Sequence, residues 1–189
     1  DHNAVDTKLI SQNVAKTLVE QIDYLSNIAS DFSNFANIGN AKQEQVNLLE
    51  SLQAVVNLFT MDTSISIRLS AGVSDPVFVM GDKTQMNRLF TNLIRNAVEA
   101  VPQHTRAVVD VALNVIDENA VVRITDNGNG IEPSVRDKIF YPNFTTKTSG
   151  TGLGLAMCKG IVEQMKGDIW FDTEEGAGTS FFVKLRQSS

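Results

Sequence analysis

Asn92 and Asn96, in Asn92-Leu-Ile-Arg-Asn96, are the first residues of this 189-residue chain whose spacing suggests chemistry. Four apart on a helix, their amides project from one face. An amide oxygen can ligate Mg²⁺ without adding negative charge beside a triphosphate; the same pair is equally compatible with two solvated surface residues. Asp126-Asn-Gly-Asn-Gly130 follows an apolar stretch that reads as a strand. A carboxylate at a strand end can accept a hydrogen bond from an adenine amino group, and Gly128 and Gly130 let the backbone approach a flat base. Alone, this segment is also a plain Asn-Gly turn. In Phe140-Tyr-Pro-Asn-Phe144-Thr145-Thr146-Lys147 the two rings can pin a loop whose hydroxyls and ammonium offer phosphate contacts. Finally, Gly150-Thr151-Gly152-Leu153-Gly154-Leu155 opens a helical pattern, so its N–H groups lie at the positive end of a helix dipole. It has no Gly-Lys-[Ser/Thr] ending and no strand before a G-x-G-x-x-G, which excludes a Walker loop and a Rossmann turn.

These segments need elements to position them. Residues 3–38 contain no Pro or Gly, and Ala15, Leu18, Ile22, Leu25, Ala29, Phe32 and Ala36 recur at three-to-four spacing, widened by Val14, Ile28 and Phe35. That stripe predicts a long helix that packs against other helices, ended by αL-tolerant Gly39-Asn40. Nothing in its own segment can cover it. Beyond residue 44, Leu48–Phe59 reads as an amphipathic helix, and Ser64–Leu69 and Val77–Met80 as strands. Asp82 is placed to cap a helix over Lys83–Val101, stopped by Pro102. Ala107–Ile116 and Ala120–Thr125 form a hairpin about Asp117-Glu118-Asn119. A glycine-rich loop region, a helix near Gly152–Met165 and a hairpin of Asp168–Thr173 with Thr179–Leu185 complete the chain. Ile169 and Phe171 share one face, as do Phe181, Val183 and Leu185; Trp170 points the other way. Strands and helices without regular βαβ repetition predict an α+β sandwich, with helices on one face of a mixed sheet.

Composition narrows the function classes. The net charge of −6 speaks against nucleic acid, and two His with one Cys speak against a His/Cys zinc site. The single Cys158 cannot form an internal disulfide and is expected to pack in the last helix. No apolar run approaches the roughly 20 residues that a membrane-spanning helix needs, and no signal peptide is evident.

The ordered succession of the four motifs resembles the N box, first glycine box, F box and second glycine box of histidine kinases. These lie within the ATPase superfamily that also holds DNA gyrase, heat-shock chaperones and MutL, and the resemblance runs from about Val46 to Leu185. It implies the Bergerat fold, a sandwich of a mixed sheet and helices that holds ATP between the N-box helix and a lid. It assigns Asn96 to Mg²⁺, Asp126 to adenine, and Gly128, Gly130 and Ile131 to the base pocket. Phe144, Thr145, Thr146, Lys147 and the backbone from Gly150 through Thr151, Gly152, Leu153 and Gly154 to Leu155 fall to the lid and the phosphates. Thr179 matches a position that reaches adenine through water. Asn92, Asn96 and Lys147 are the implied catalytic residues. Gyrase-like and chaperone-like ATPases carry a glutamate base at position 92; Asn92 cannot abstract a proton, so the site looks built to hold ATP for transfer.

Residues 21–36 are similar to the second helix of the family's dimerisation and phosphoacceptor hairpin, particularly in nitrogen-regulation-type kinases, and Arg95 and Glu99 look like that branch. The expected division is 1–40 for this helix and 41–189 for the catalytic domain. The family's His-Glu-x-x-Asn-Pro-like acceptor box is absent; neither His2 nor His104 has its context, so the acceptor is expected outside this sequence. The expected partners are ATP, a second copy of the chain and a response-regulator receiver domain, in a cytoplasmic setting with any membrane attachment through other segments. Two competing readings are an ATP-hydrolysing clamp and a dimerisation scaffold with a decayed nucleotide site.

Overall fold

The computed structural model describes residues 14–188 apart from residues 20, 23, 24, 27, 31, 34, 35, 74, 148 and 149. Two helices begin where the sequence offers a cap. Asn47 precedes α1 (Leu48–Phe59) and accepts from Glu50 N, while its own side-chain amide donates to Glu50 Oε1, so the pair satisfies one backbone N–H of the first turn. Asp82 caps α2 (Lys83–Glu99) by accepting from Thr84 N and Gln85 N. A further helix, α3 (Gly154–Gln164), has Leu153 at its cap position and no side-chain cap.

The main sheet has the order β2 (Ile65–Ala71), β4 (Ala107–Ile116), β5 (Asn119–Asp126), β7 (Gly178–Arg186), β6 (Asp168–Glu174). Only β2 and β4 run parallel, so the sheet is mixed, as expected. The β4–β5 hairpin turns on Asp117 and Glu118 alone, both at positive φ (46° and 62°), the geometry that matches the twist of the flanking strands. The core lies between helices and sheet: Leu52, Met86, Leu89, Phe90, Leu93 and Ile161 meet Val109, Leu113, Ile124 and Val183, all buried. Phe181, Val183 and Leu185 share the buried face, whereas Trp170 lies on the opposite face, stacked on Phe182 with ring centroids 5.2 Å apart.

Two features differ from expectation. Glu44–Asn47 is a strand, β1, which pairs antiparallel with β3 (Phe78–Gly81) in a separate two-stranded sheet. With Val46 its sole apolar residue, β1 has no alternation to read and owes its form to pairing with β3, Val46 opposite Val79. The described residues between 14 and 36 are helical, but Gly39 does not end the helix in a left-handed conformation. Instead a 3-10 turn at Ile38–Asn40 follows, held by Gln85 Nε2 donating to Ile38 O at 3.1 Å and by Ile38 packing beside Gly160 of α3. Among the described residues of the apolar stripe, Leu18, Ile22, Leu25 and Phe32 are 57–66% exposed. Phe35 and His2 lie outside the described residues.

Candidate nucleotide site

Strand β5 ends on Asp126, which is 5% exposed. Its Oδ1 accepts from Gly128 N at 2.8 Å and from Thr179 N at 3.2 Å. Burial pushes the carboxyl above its ordinary pKa, and the two backbone amides oppose that rise. Among the described residues its second oxygen has no hydrogen-bond partner, which leaves an acceptor for a ligand. Beside it, Thr173 accepts from Ile131 N at 2.9 Å and lies 3.1 Å from Gly178 O and 3.0 Å from Thr179 Oγ1. If the one Thr173 hydroxyl hydrogen goes to Gly178 O, Thr179 must donate to Thr173, and the Thr179 lone pairs stay available to a water. Motif reading missed Thr173; its register opposite Thr179 in the last hairpin was the available signal.

The glycines have a reason besides the base. A Cβ on Gly128 would lie 2.7 Å from Ala100 O at the end of α2, and Asn129 N donates to that same carbonyl. Gly130 has φ +73° and packs against the backbone of Glu174. Thus the Asp126–Gly130 turn is clamped between α2 and the β6–β7 turn, where side chains cannot fit. Gly152, at φ +70°, similarly abuts the backbone of Asn143 and Phe144, while Gly154 faces open space. With no side-chain cap on α3, its first N–H groups suit an anion. Phe140 packs its ring against Phe171 and Phe181, and Phe144 and Ile131 are half-buried on the core, so both rings of the F-box segment are anchors.

On α2 the two asparagines do different things. Asn96 Oδ1 accepts from Lys147 Nζ at 2.9 Å, and the same ammonium lies 2.5 Å from Glu99 Oε2. Asn92 is 5% exposed; its Oδ1 accepts from Arg95, and its Nδ2 is buried beside the Cys158 thiol. Behind it Cys158 is buried, with burial pushing the thiol up to about 12 against the Arg95 charge and the Asn92 amide. Thr145 Oγ1 accepts from Lys147 N at 3.1 Å and stands against Gly150; Thr146 is exposed, and Thr151 and Leu155 are half-buried. The lid region 145–150 includes Thr148 and Ser149, which lie outside the described residues. His104 sits in the exposed turn after α2.

A depression of about 340 Å³ is lined by Thr125, Asp172 and Ser180 together with Asp126 and Thr179. Thr125, Ser180 and Asp172 are register neighbours on the face away from the helices, so the depression opens on that face of the sheet, next to Asp126, Thr173 and Thr179.

A sequence model of the histidine kinase-, DNA gyrase B-, and HSP90-like ATPase family matches residues 81–189. Sensor histidine kinase ZraS of Escherichia coli strain K12 is 30% identical over 178 residues, covering 93% of this chain and 38% of that protein. The chain therefore spans well under half the length of that relative. The nucleotide-free catalytic domain of histidine kinase ThkA superposes with a TM-score of 0.69 at 29% identity, over 77% of this chain and 96% of that one. ThkA in complex with response regulator protein TrrA superposes with a TM-score of 0.74 at 23% identity, over 90% of this chain and 49% of that one; this likeness shows the fold alone. With its mixed sheet, N-box helix and both glycine turns in place, the chain belongs to this ATPase family, as an ATP-binding catalytic domain of the sensor histidine kinase type.

Proposed function

We propose that the chain holds Mg-ATP for phosphoryl transfer to a histidine other than His2 and His104, as the catalytic portion of a two-component sensor kinase. The observation that carries this is position 92. The superfamily's hydrolases need a carboxylate base there, and here the side chain is an amide, buried and bonded to Arg95. Such a site positions reactants and stabilises charge without activating water.

In this reading Asp126 and Thr179 orient the adenine, with Gly128, Gly130 and Ile131 forming the pocket wall. Lys147, Thr145, Thr146, Phe144 and the Gly150–Leu155 backbone surround the phosphates. Asn96 fits a hard cation: its oxygen, together with Glu99, already holds the ammonium of Lys147, so positive charge is stable at that spot. Asn96 Oδ1 would hold Mg²⁺, which when bound neutralises charge on the phosphate oxygens. Asn92, with its oxygen held by Arg95, shapes the pocket floor between α2 and α3.

Residues 1–40 are read as part of a dimerisation hairpin, separate from the catalytic residues 41–189. The exposed stripe supports a second copy of the chain as its partner. A receiver domain is the proposed acceptor downstream, by analogy with the partner of ThkA. Among the described residues no helix is long and apolar enough to cross a membrane. A cytoplasmic setting, with membrane attachment through other segments, is part of the proposal.

The test pairs a calorimetric titration with Mg-ATP and Mg-ADP with steady-state turnover and labelled ATP. Saturable binding without sustained hydrolysis, and without acid-labile phosphate on His2 or His104, is expected. Sustained hydrolysis would favour the clamp; no binding would leave the scaffold reading.

A further inference from the structure

Glu99 has no role in the site as read from the motifs, yet its carboxylate meets the ammonium of the phosphate residue Lys147, which also meets the metal residue Asn96. Asn96 and Glu99 are three apart on α2, so their side chains rise from one face. Lys147, brought in from the F-box segment, puts its ammonium within 2.5 Å of Glu99 Oε2 and 2.9 Å of Asn96 Oδ1. In this arrangement the cation that should meet the phosphates is taken, and so is the oxygen that should meet the metal. A triphosphate without metal arriving here meets the negative charge of Glu99 with its natural counter-charge already spent.

We propose that Glu99 is a specificity-determining residue that makes nucleotide binding depend on a divalent cation. This rests on the assignment of Asn96 to the metal and Lys147 to the phosphates. With a divalent cation at Asn96, Glu99 gains a new positive neighbour, and Lys147 is released from both oxygens toward the phosphates. Without one, a bare triphosphate must break the Glu99–Lys147 pair to gain the ammonium and then faces an unpaired carboxylate. The exchange is made between exposed groups, 38% and 46% exposed in their side chains, so screening keeps it modest. A solvent-exposed pair of this kind shifts an equilibrium by about two- to fivefold.

The test is the ratio of ATP affinity with Mg²⁺ to affinity in excess chelator, measured by calorimetry on wild type, Glu99→Gln and Asp126→Asn. Glu99→Gln preserves helix propensity on an exposed face, and a thermal melt checks that it folds. It is expected to bind metal-free ATP about two- to fivefold tighter than wild type, so the Mg²⁺ enhancement shrinks by the same factor. The shrinkage should itself fade at high salt. An unchanged enhancement, or an equal loss of affinity in both conditions, overturns the proposal. Asp126→Asn separates the two levels. If it weakens binding in both conditions while Glu99→Gln leaves the enhancement intact, the site stands and the role of Glu99 falls. If Asp126→Asn changes neither, the site assignment falls and takes this proposal with it.

Discussion

Replacing Asp126 with Asn pulls apart two effects of one buried carboxylate. In the native fold Oδ1 accepts two backbone N–H groups, at 2.8 and 3.2 Å, and an amide oxygen of the same shape can do so too. Burial raises the carboxyl's pKa above its ordinary 3.8. A group raised in the native state contributes stability that is full below its unfolded pKa and is lost as pH rises through its folded pKa. At pH 7 the ionised Asp126 therefore costs stability, and a neutral amide does not. The ligand-free variant should melt at or above the wild-type temperature at pH 7, with the difference shrinking toward about pH 3. For the ligand the sign reverses. With the amide oxygen of the variant committed to Gly128 and Thr179, its NH₂ group would face the adenine amino group, donor against donor. Loss of a hydrogen bond to a charged acceptor is worth about 1.5–3 kcal/mol, or roughly 10- to 150-fold in Kd. Calorimetry with Mg-ADP and thermal melts on the same preparations measure both effects. Equal affinity in the two proteins would remove Asp126 from the adenine site. Weaker binding with a melting temperature several degrees lower would show that the loss is structural. In the wild type, affinity should begin to fall on acidification at a pH above 3.8, since the raised carboxyl takes up its proton early.

Asn96→Asp adds a charge where the metal is placed and should steepen the Mg²⁺ dependence of nucleotide affinity; an unaltered Mg²⁺ titration would take Asn96 out of the metal site. Cys158, fully buried with its thiol pushed up to about 12, should resist thiol reagents at about pH 8 until the protein unfolds, and rapid labelling of the native protein would contradict its packing against α2. Asp82→Ala removes the cap of α2 and should cost about 0.5–2 kcal/mol in denaturant unfolding. Burial raises the Asp82 carboxyl, but the N–H bonds from Gln85, Lys42 and Thr84 together outweigh it and hold the group below 3.8, so the wild-type advantage should fade as pH falls through that lowered value. The exposed stripe of Leu18, Ile22, Leu25 and Phe32 predicts concentration-dependent self-association in sedimentation, and a strictly monomeric profile at high concentration would count against it.

The sequence alone settled what depends on neighbours along the chain. The Asp82 cap, the Leu48–Phe59 helix and the alternation of Phe181, Val183 and Leu185 all follow from backbone preference and periodicity, and the structure contains each of them; the hairpin after Ile116 reads as turning on Asp117-Glu118-Asn119, of which Asn119 belongs to β5. The four motifs were visible as short residue patterns, and their ordered resemblance to the histidine kinase boxes, rather than spacing alone, gave them roles. Tertiary structure decided what depends on distant partners. β1 exists because β3 lies beside it, and no property of Glu-Gln-Val-Asn announces that. Gly128 and Gly130 are required by Ala100 and the backbone of Glu174, contacts that appear only when α2 and the last hairpin close on the turn. Lys147 meets Glu99 and Asn96 from 48 and 51 positions away, and Cys158 meets Leu89 from 69. Local conformation is set by short-range sterics and hydrogen bonds. Which charge faces which across the site is set by packing, since burying the apolar faces of α2 and α3 on one sheet fixes where their polar edges converge.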